Sequence, residues 1–312
     1  MESFPNPRLM PPVTRISSPK LGPEDPVIAG DGTVYSALRN DGWLLRVRPG
    51  ALEAEKVADI GGRGLGVELM HDGRILVCNA DLGLQAVDPE TGDVETLLPE
   101  IFGEDFGVCN NASIAKDGTI YFSESSQTYK LEKYRNDIVE NTCSGRLFKW
   151  RPGSEPEVLL EGLAFANGVL LDPEEKFVLV AETGQCRIHR VWLDDKRTEV
   201  FLHLPGYPDN LSLGSDGLVW CALPAPHNPA VSRLHKAPLL VRRIVTALPE
   251  NVQPQIPRVC WVMAFGLDGR LVHFLEGDPD NYHYVTGVRE KDGRVWLGSI
   301  QEEALGYFDL ET

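Results

Sequence analysis

The stretch Gly206-Tyr-Pro-Asp-Asn-Leu-Ser-Leu-Gly-Ser-Asp-Gly-Leu-Val-Trp220 decides the fold of this chain. It reads as a turn, a short apolar-alternating run, an Asp-Gly corner and a second β-rich run. Asp-Gly between two such runs predicts a β-hairpin, because glycine accepts a positive φ without a Cβ clash. The pattern recurs, which indicates an internal repeat. The corners of the copies are Asp31-Gly32, Asp72-Gly73, Asp117-Gly118, Asp216-Gly217 and Asp292-Gly293, with a degenerate copy at Glu174-Glu175.

Each copy continues into a second hairpin. In the second repeat the pattern predicts strands at 65–70, 74–79, 84–87 and 94–98. Four short antiparallel strands, repeated six times, predict an all-β fold: a six-bladed β-propeller with four-stranded antiparallel blades. The long amphipathic helices that a TIM barrel needs between its strands are missing. We expect residues 1–312 to form a single domain, because all-β domains of this length often do.

Two segments interrupt the repeat. Residues 127–144 are predicted to lengthen the third blade with a polar loop, and residues 223–258 form a rim insertion in blade 5 that divides its inner and outer halves. Within the insertion, Pro238–Pro249 predicts a short amphipathic helix that lies on the rim as a lid. The N-terminal run Val13–Ser17 is predicted to add the outermost strand of the last blade and so to close the ring.

Composition limits the possible partners and the compartment. The net charge of −16 argues against a nucleic-acid partner, which requires a basic face. No run approaches 18 apolar residues and the N-terminus lacks a signal-peptide core, so we expect no membrane partner and a cytoplasmic protein. The six cysteines show no CxxC spacing and are expected to be buried free thiols. The oligomeric state stays open.

One position in each repeat carries the functional signal. Eight residues before the corner residue stand Glu24, Leu65, Asn110, Asn167, Asp209 and Val285. The first strand of each propeller blade lines the central channel, so these six positions should converge on the axis. Four of them carry oxygen, and none is His or Cys, which favours a hard cation over a softer metal. Ca²⁺ takes roughly six to eight oxygen ligands, so the pattern predicts a calcium site at Glu24, Asn110, Asn167 and Asp209. The alternative is that these residues only cap backbone groups near turns.

Five short motifs resemble a known family. They are Gly22-Pro-Glu-Asp25, Phe165-Ala-Asn-Gly-Val169, Pro208-Asp-Asn-Leu-Ser212, Tyr284-Val-Thr-Gly-Val288 and Trp296-Leu-Gly-Ser299. Together they resemble the strictosidine-synthase-like branch of six-bladed propellers, which is related to the gluconolactonase/senescence-marker proteins, the paraoxonases and diisopropyl fluorophosphatase. The resemblance implies the same four calcium ligands, with Asn210 as an additional one. It also implies calcium-dependent hydrolysis of lactones, aryl esters or organophosphates.

The sequence departs from these relatives at several positions. Plant strictosidine synthases depend on a glutamate where this chain has Thr286, so Pictet–Spengler condensation is not expected. The paraoxonase histidine pair falls at Leu65 and Ala80, which excludes a His–His base. Asn111 stands where paraoxonases use an aspartate for a second, buried calcium, although Asp25 is retained.

The sequence-based hypothesis is metal-assisted hydrolysis of a small-molecule ester or lactone. Calcium would stabilise the developing oxyanion, and Asp209 would either activate water or attack directly. Glu68 is a further candidate, as a substrate contact or a satisfied core carboxylate, and so is His283, as a channel-mouth group or a rim histidine with a local hydrogen bond. Leu65, Val285 and Thr286 would form the channel wall.

Two other functions stay open at this point. The chain could be a non-catalytic calcium-binding propeller that serves as a binding module, since many propellers do no chemistry. It could also be a strictosidine-synthase-like condensing enzyme. The rim segments 127–144 and 223–258 would determine the substrate.

Overall fold

Six blades with four antiparallel strands each form the propeller, as the repeat predicts, and the fifth blade carries one further strand. The computed structural model describes residues 4–249, 252–253 and 255–310. Two strands precede the first blade, β1 (Arg8–Leu9) and β2 (Thr14–Ser17). The first blade consists of β3 (Pro23–Ile28), β4 (Val34–Leu38), β5 (Trp43–Val47) and β6 (Glu55–Asp59), and the second of β7 (Gly64–Leu69), β8 (Ile75–Asn79), β9 (Gly83–Val87) and β10 (Val94–Leu98). A small hairpin of β11 (Glu100–Ile101) and β12 (Glu104–Asp105) follows. The third blade consists of β13 (Cys109–Ile114), β14 (Ile120–Glu124), β15 (Gly145–Trp150) and β16 (Glu157–Leu163).

The last three blades repeat this order. The fourth blade consists of β17 (Ala166–Leu171), β18 (Phe177–Glu182), β19 (Arg187–Trp192) and β20 (Thr198–His203). The fifth consists of β21 (Leu211–Leu213), β22 (Val219–Leu223), β23 (Cys260–Phe265) and β24 (Leu271–Gly277). The sixth contains β25 (Val285–Lys291), β26 (Arg294–Ser299) and β27 (Ala304–Asp309). The bounds predicted for the four strands of the second repeat agree with those of β7, β8 and β9 to within one residue at each end, and with those of β10 without any difference.

The first strands of the blades form the inner ring. Each contacts the first strand of the next blade, from β3 through β7, β13, β17 and β21 to β25, which returns to β3. The N-terminal strand completes the sixth blade: β2 pairs antiparallel with β27, with Thr14 opposite Tyr307, so the predicted ring closure is confirmed. The sequence did not predict that β1 would pair parallel with β24 and give the fifth blade a fifth strand.

The core is divided among the blade interfaces. One buried apolar cluster fills each of the six spaces between neighbouring blades. Val27 of blade one and Val67 of blade two, for example, share a cluster. A blade is therefore covered on both faces, which explains why strands such as β8 are apolar nearly throughout and do not alternate.

Helices occupy both interruptions of the repeat. Residues 127–144 are not simply a polar loop: they contain a 3₁₀ turn (Leu131–Lys133) and helix α1 (Tyr134–Glu140). Between β22 and β23 lie helix α2 (Pro229–Leu234) and helix α3 (Leu239–Thr246), the latter inside the predicted Pro238–Pro249 helix. Residues 250, 251 and 254 of the 223–258 segment lie outside the described residues. A second 3₁₀ turn spans Thr183–Gln185.

Candidate functional site

The equivalent positions of all six blades line one pocket at the propeller axis. Glu24, Leu65, Asn110, Asn167 and Asp209 are joined there by Thr286 of the sixth blade. The four predicted calcium ligands are thus brought together from strands that are far apart in sequence.

Val285 is a correction to the predicted channel wall. Its side chain is fully buried in the core between blades five and six, and Thr286 occupies the axial position. The corner of the sixth blade is shorter than that of the first. Five residues separate the paired Ile28 and Val34, but four separate the paired Glu290 and Val295. Counting back eight residues from the corner glycine therefore gives a position one residue too early in this blade.

Unusual backbone conformations precede three of the axial residues. Gly22, Phe165 and Tyr284 have φ values of 92°, 64° and 55°, and each stands two residues before its axial residue. The left-handed region costs a non-glycine residue free energy, and such strain is often found where a functional side chain is positioned. Phe165 and Tyr284 both line the axial pocket.

Three buried oxygen atoms at the axis lack hydrogen-bond donors. Glu24 Oε2, Asn110 Oδ1 and Asn167 Oδ1 have no partner among the described residues. The other polar atoms of two of these side chains are engaged: Asn110 Nδ2 donates to Ser125 Oγ at 2.8 Å, and the Asn167 side chain hydrogen-bonds to the Asp209 carboxylate. The amide groups are therefore oriented so that their carbonyl oxygens are the groups without a partner.

A chain of amides lies beside these ligands. Asn210 Nδ2 donates to Glu24 Oε1 at 2.8 Å, and Asn210 Oδ1 accepts from Asn111 Nδ2 at 2.9 Å. Asn111 Nδ2 also lies 3.3 Å from Asp25 Oδ2, and Asn111 Oδ1 accepts from the backbone N–H of Val169. Asn210 and Asn111 thus link Glu24 to Asp25, and the nitrogen and oxygen of both amides are hydrogen-bonded. Both are positioned as supports of the predicted ligands.

Burial makes the axial carboxylates resist ionisation. It is the main cause that raises the pKa of Asp209 to about 8, with a further contribution from Asp25. The pKa of Glu24 is raised well above its usual value by burial first and then by repulsion from Asp209 and Asp25. Arg39, a half-buried residue of the same pocket, lowers both pKa values but makes the smallest contribution to each. The two carboxylates therefore lack a strong cationic partner.

The neighbouring carboxylates Asp25 and Glu68 have such a partner. Arg289 Nη1 and Nη2 each lie 3.2 Å from Glu68 Oε2, and its Nε donates to the Pro26 carbonyl. Burial raises the pKa of Asp25 to about 7, and the Arg289 guanidinium opposes this rise. Glu68 is therefore an ion-paired carboxylate and does not line the axial pocket.

His283 lies away from the axial pocket. Its Nδ1 is hydrogen-bonded to Glu302 Oε1, and its backbone N–H donates to the same oxygen at 3.1 Å. The interpretation as a rim histidine with a local partner agrees with these contacts. Thr286 Oγ1 donates to the Glu24 carbonyl at 2.9 Å, which ties the sixth blade to the first.

A second, mostly apolar pocket opens beside the axis. It shares Phe165, Asn167, Asp209, Tyr134 and Tyr284 with the axial pocket. Its remaining wall comes from helix α1, from blade loops and from the segment after β22, including Ile138, Val139, Tyr207, Pro224, Ala225, Val231, Ile256 and Pro257. A polar axial site with an adjoining apolar chamber suits a small organic molecule with one polar reacting group.

Sequence reasoning missed the residues that join the two pockets. The hydroxyls of Tyr134 and Tyr284 lie 3.1 Å apart, and the Arg39 guanidinium carbon lies 5.6 Å from the centre of the Tyr134 ring. Burial, followed by the proximity of Tyr134, raises the pKa of Tyr284 well above its usual value, so its phenol stays protonated. The motif Tyr284-Val-Thr-Gly-Val288 contained a signal for Tyr284. Nothing in the spacing indicated Tyr134, because it enters from an inserted helix.

The cysteines are free thiols as expected, but the prediction that all are buried is wrong for Cys143. All six are unpaired; five are buried and Cys143 is exposed. Within the described ranges, no group of three or more His, Cys, Asp or Glu side chains lies at metal-binding spacing. A metal site at the axis would therefore be built from two carboxylates together with amide oxygens.

Comparison with known proteins identifies the family. The strictosidine synthase family profile matches residues 110–196, which include Asn110 and Asn167. A strictosidine synthase-like protein of Arabidopsis thaliana (STRICTOSIDINE SYNTHASE-LIKE 10) is 33% identical over 279 residues, covering 84% of this chain and 73% of the relative. The chain belongs to the strictosidine-synthase-like family. This family member is also 33% identical to the adipocyte plasma membrane-associated protein of Rattus norvegicus, over 93% of the chain and 84% of the relative.

Solved structures of low sequence identity share its fold. A gluconolactonase from Xanthomonas campestris superposes with a TM-score of 0.71 at 15% identity, covering 96% of this chain and 89% of the other. A calcium-binding regucalcin from Agrobacterium tumefaciens gives 0.68 at 14% identity, covering 97% and 96%. The strictosidine-synthase-like chain thus shares the six-bladed propeller fold of these two proteins. No helix within the described ranges has the length and apolar character needed to cross a bilayer.

Proposed function

We propose that this family member is a calcium-dependent hydrolase of lactones or esters, with organophosphates as further candidate substrates. The observation that carries the proposal is the meeting of Glu24, Asn110, Asn167 and Asp209 in one buried pocket, with three of their oxygens lacking a partner. Relatives of the same fold include a gluconolactonase and a calcium-binding regucalcin, which supports the combination of metal and lactone.

The donor set fits a calcium ion. A buried polar atom without a hydrogen bond costs about 1–3 kcal/mol, and more if charged. Three such atoms beside two poorly neutralised carboxylates therefore fit a cation that would satisfy them all. The donors are all oxygens and two of them are neutral, which favours Ca²⁺ over metals that prefer nitrogen or sulphur. Glu24 and Asp209 would balance its charge, and Asn110 and Asn167 would supply carbonyl oxygens.

The chain's own residues can bind and orient the substrate. Calcium, when bound, would supply a Lewis acid that favours negative charge on the substrate's carbonyl or phosphoryl oxygen. Asp209 is the proposed catalytic carboxylate, acting on water or on the substrate carbon. The Asn167 side chain orients that carboxylate through its hydrogen bond. The protonated phenol of Tyr284 can donate a hydrogen bond to a polar group of the substrate at the junction of the two pockets.

The axial residues argue against one of the two other functions and leave the second to be separated by assay. Thr286 occupies the sixth-blade axial position and uses its hydroxyl on the Glu24 carbonyl, so no carboxylate stands where plant strictosidine synthases need one. A non-catalytic calcium-binding propeller would show the same convergent oxygens, so turnover, and not the geometry of the axial pocket, distinguishes it from the hydrolase. We further propose a cytoplasmic location, supported by six unpaired cysteines, and a small-molecule partner instead of nucleic acid, supported by the net charge of −16.

An assay with and without chelator tests the proposal. Purified protein is incubated with phenyl acetate and a series of lactones, in EDTA and after Ca²⁺ is restored. We expect turnover that EDTA removes and Ca²⁺ recovers. Calcium-dependent thermal stabilisation without turnover on any of these compounds would favour a binding protein. Turnover that EDTA leaves unchanged would contradict the calcium assignment.

A further inference from the structure

Helix α3 is attached to the propeller through its polar face. Arg242 Nη1 donates to the Glu140 carbonyl at the end of helix α1. Thr246 Oγ1 donates to Glu140 Oε1 at 2.8 Å, and Arg243 Nε lies 3.4 Å from Glu140 Oε2. Glu140 is buried, so these contacts fix the side of α3 that faces the protein.

The apolar side of α3 faces away from the protein. Leu240 and Ile244, one turn apart, are 71% and 55% exposed, and Val241 and Leu248 are exposed as well. None of the residues of α3 is buried. An amphipathic helix on a globular protein normally packs its apolar stripe on the core. Here the orientation is reversed, and the exposed residues form a continuous stripe, unlike the singly scattered apolar residues that are ordinary on protein surfaces.

The charge around this helix is opposite to that of the rest of the chain. Residues 223–258 contain five basic residues and one acidic residue, a net charge of +4 within a chain of −16. Arg233 and Lys236, just before α3, are exposed. A second copy docking symmetrically would place this positive segment against itself, so charge disfavours a homodimer through this face. An apolar stripe among basic residues is complementary to an anionic lipid surface.

We propose that α3 is an interfacial membrane-docking helix that lies on bilayers containing anionic phospholipid. The helix inserts Leu240, Ile244 and their apolar neighbours at the headgroup boundary while Arg233 and Lys236 pair with lipid phosphates. The same insertion contributes Ile256 and Pro257 to the apolar pocket, so docking brings the pocket near the lipid phase. A helix that lies on the bilayer surface does not need to cross it. The expectation of no membrane partner rested on the lack of an apolar run long enough to cross a bilayer, so it does not bear on a surface contact.

A flotation assay with the full-length protein tests this proposal. The probes are vesicles of phosphatidylcholine alone and of phosphatidylcholine with one-fifth phosphatidylserine, at low and physiological salt. The variants are Leu240→Ser/Ile244→Ser and Arg233→Glu/Lys236→Glu. Leu52→Ser, which changes a leucine that is 77% exposed on the first blade, is the matched control.

We expect wild type and Leu52→Ser to float with the anionic vesicles and not with neutral ones. The double serine variant should bind about tenfold more weakly or worse, because buried methylene groups supply the insertion free energy. The charge-reversal variant should lose at least about fivefold in binding per basic residue, because each substitution removes an attraction and adds a repulsion. Equal binding of wild type and the double serine variant overturns the proposal, as does absence of binding to anionic vesicles. A dimer that the serine substitutions dissociate, without vesicle binding, would instead assign the stripe to a second copy.

Discussion

Two pairs of carboxylates lie close together in the propeller channel, and they differ in how much positive charge the fold places beside them. Glu24 and Asp209 stand at the axial pocket with raised pKa values, an unpartnered oxygen on Glu24 and only a weak influence from Arg39. Asp25 and Glu68 lie near the partly buried guanidinium of Arg289, which pairs with Glu68 and lowers the pKa of Asp25. Asn111 and Asn210 connect the two pairs through hydrogen bonds.

The difference shows where the chain supplies its own cation and where it does not. A buried carboxylate is stable only when a positive charge or several donors compensate it. Arg289 provides this for one pair, whereas among the described residues the other pair has only the weak influence of Arg39. The axial pair is therefore the one that fits an external cation, and the four predictions below test this contrast.

Asp209→Ala should produce the largest effect, a loss of about ten-thousandfold in kcat/KM for ester or lactone hydrolysis, because removal of a catalytic carboxylate commonly costs this much. Steady-state assays in saturating Ca²⁺ measure it. Asp268→Ala, at an exposed corner where the carboxylate accepts only from the Arg270 backbone, is the matched control and should retain full activity. An Asp209→Ala protein with near-normal turnover would remove Asp209 from the mechanism.

Arg289→Met should lower the free energy of unfolding by about 3–5 kcal/mol, because it leaves Asp25 and Glu68 without their cation. Urea denaturation measures the change. Arg270→Met, at an exposed position, should change stability by less than about 0.5 kcal/mol. If Arg289→Met and Arg270→Met were equally stable, the Arg289 guanidinium would not be the charge that compensates Asp25 and Glu68.

Glu24→Gln and Glu68→Gln should have opposite consequences in EDTA. Glu68→Gln weakens the pair with Arg289 and should cost about 1–3 kcal/mol. Glu24→Gln replaces a carboxyl group whose ionisation is opposed by burial and by Asp209 and Asp25 with a neutral amide of the same shape, so the metal-free variant should be at least as stable as wild type. It should also lose the calcium-induced stabilisation, which for wild type is about 2.7 kcal/mol at a hundredfold excess of Ca²⁺ over Kd. Thermal melts in EDTA and in Ca²⁺ measure both quantities.

A destabilised Glu24→Gln protein in EDTA would mean that the glutamate is already compensated within the fold. A Glu24→Gln protein that Ca²⁺ stabilises as much as wild type would place the ion elsewhere.

Counted per pH unit, the smallest effect should be a pH dependence of the stability of the metal-free protein. The pKa of Asp209 rises from 3.8 to about 8 on folding, mainly through burial, so between these pH values the folded state holds a proton that the unfolded state releases. Stability in EDTA should therefore fall as pH rises from about 4 to about 8, by up to about 1.4 kcal/mol per pH unit for this proton. Calcium favours the ionised form and should remove this loss.

Urea midpoints at pH 5, 6.5 and 8, in EDTA and in Ca²⁺, check the pH effect. The stabilisation by Ca²⁺ should grow with pH across this range. A stabilisation that is the same at all three values would show that the axial carboxylates are already ionised before the metal binds.

The repeat predicted the fold and the axial positions because both depend on local hairpin geometry. The Asp-Gly corners, with Glu174-Glu175 in the fourth blade, mark the turn between the first two strands of each blade. Glu24, Asn110, Asn167 and Asp209 meet as the spacing predicts. The prediction was wrong at Val285 because one tighter corner changes the number of residues between paired strands. The position of the glycine in a turn does not by itself give the number of residues that the turn contains.

Long-range contacts account for what the sequence did not predict. Arg289 pairs with Glu68 across 221 positions of chain, so no local pattern could distinguish Glu68 from a substrate contact. Tyr134 reaches the pocket from a helix inside a segment that the composition predicted as a polar loop. The three oxygens without donors are a property of the assembled network and depend on where every neighbouring donor is directed.

The pairing of β2 with β27 affects how the protein folds during its synthesis on the ribosome. Residues 14–17 emerge early but cannot find their partner until residues 304–309 have been made. The ring must therefore stay open during translation, with the free edge of β2 available to wrong neighbours for most of that time. Synonymous codon changes that slow the final segment should lower the yield of native protein while leaving its finished properties unaltered.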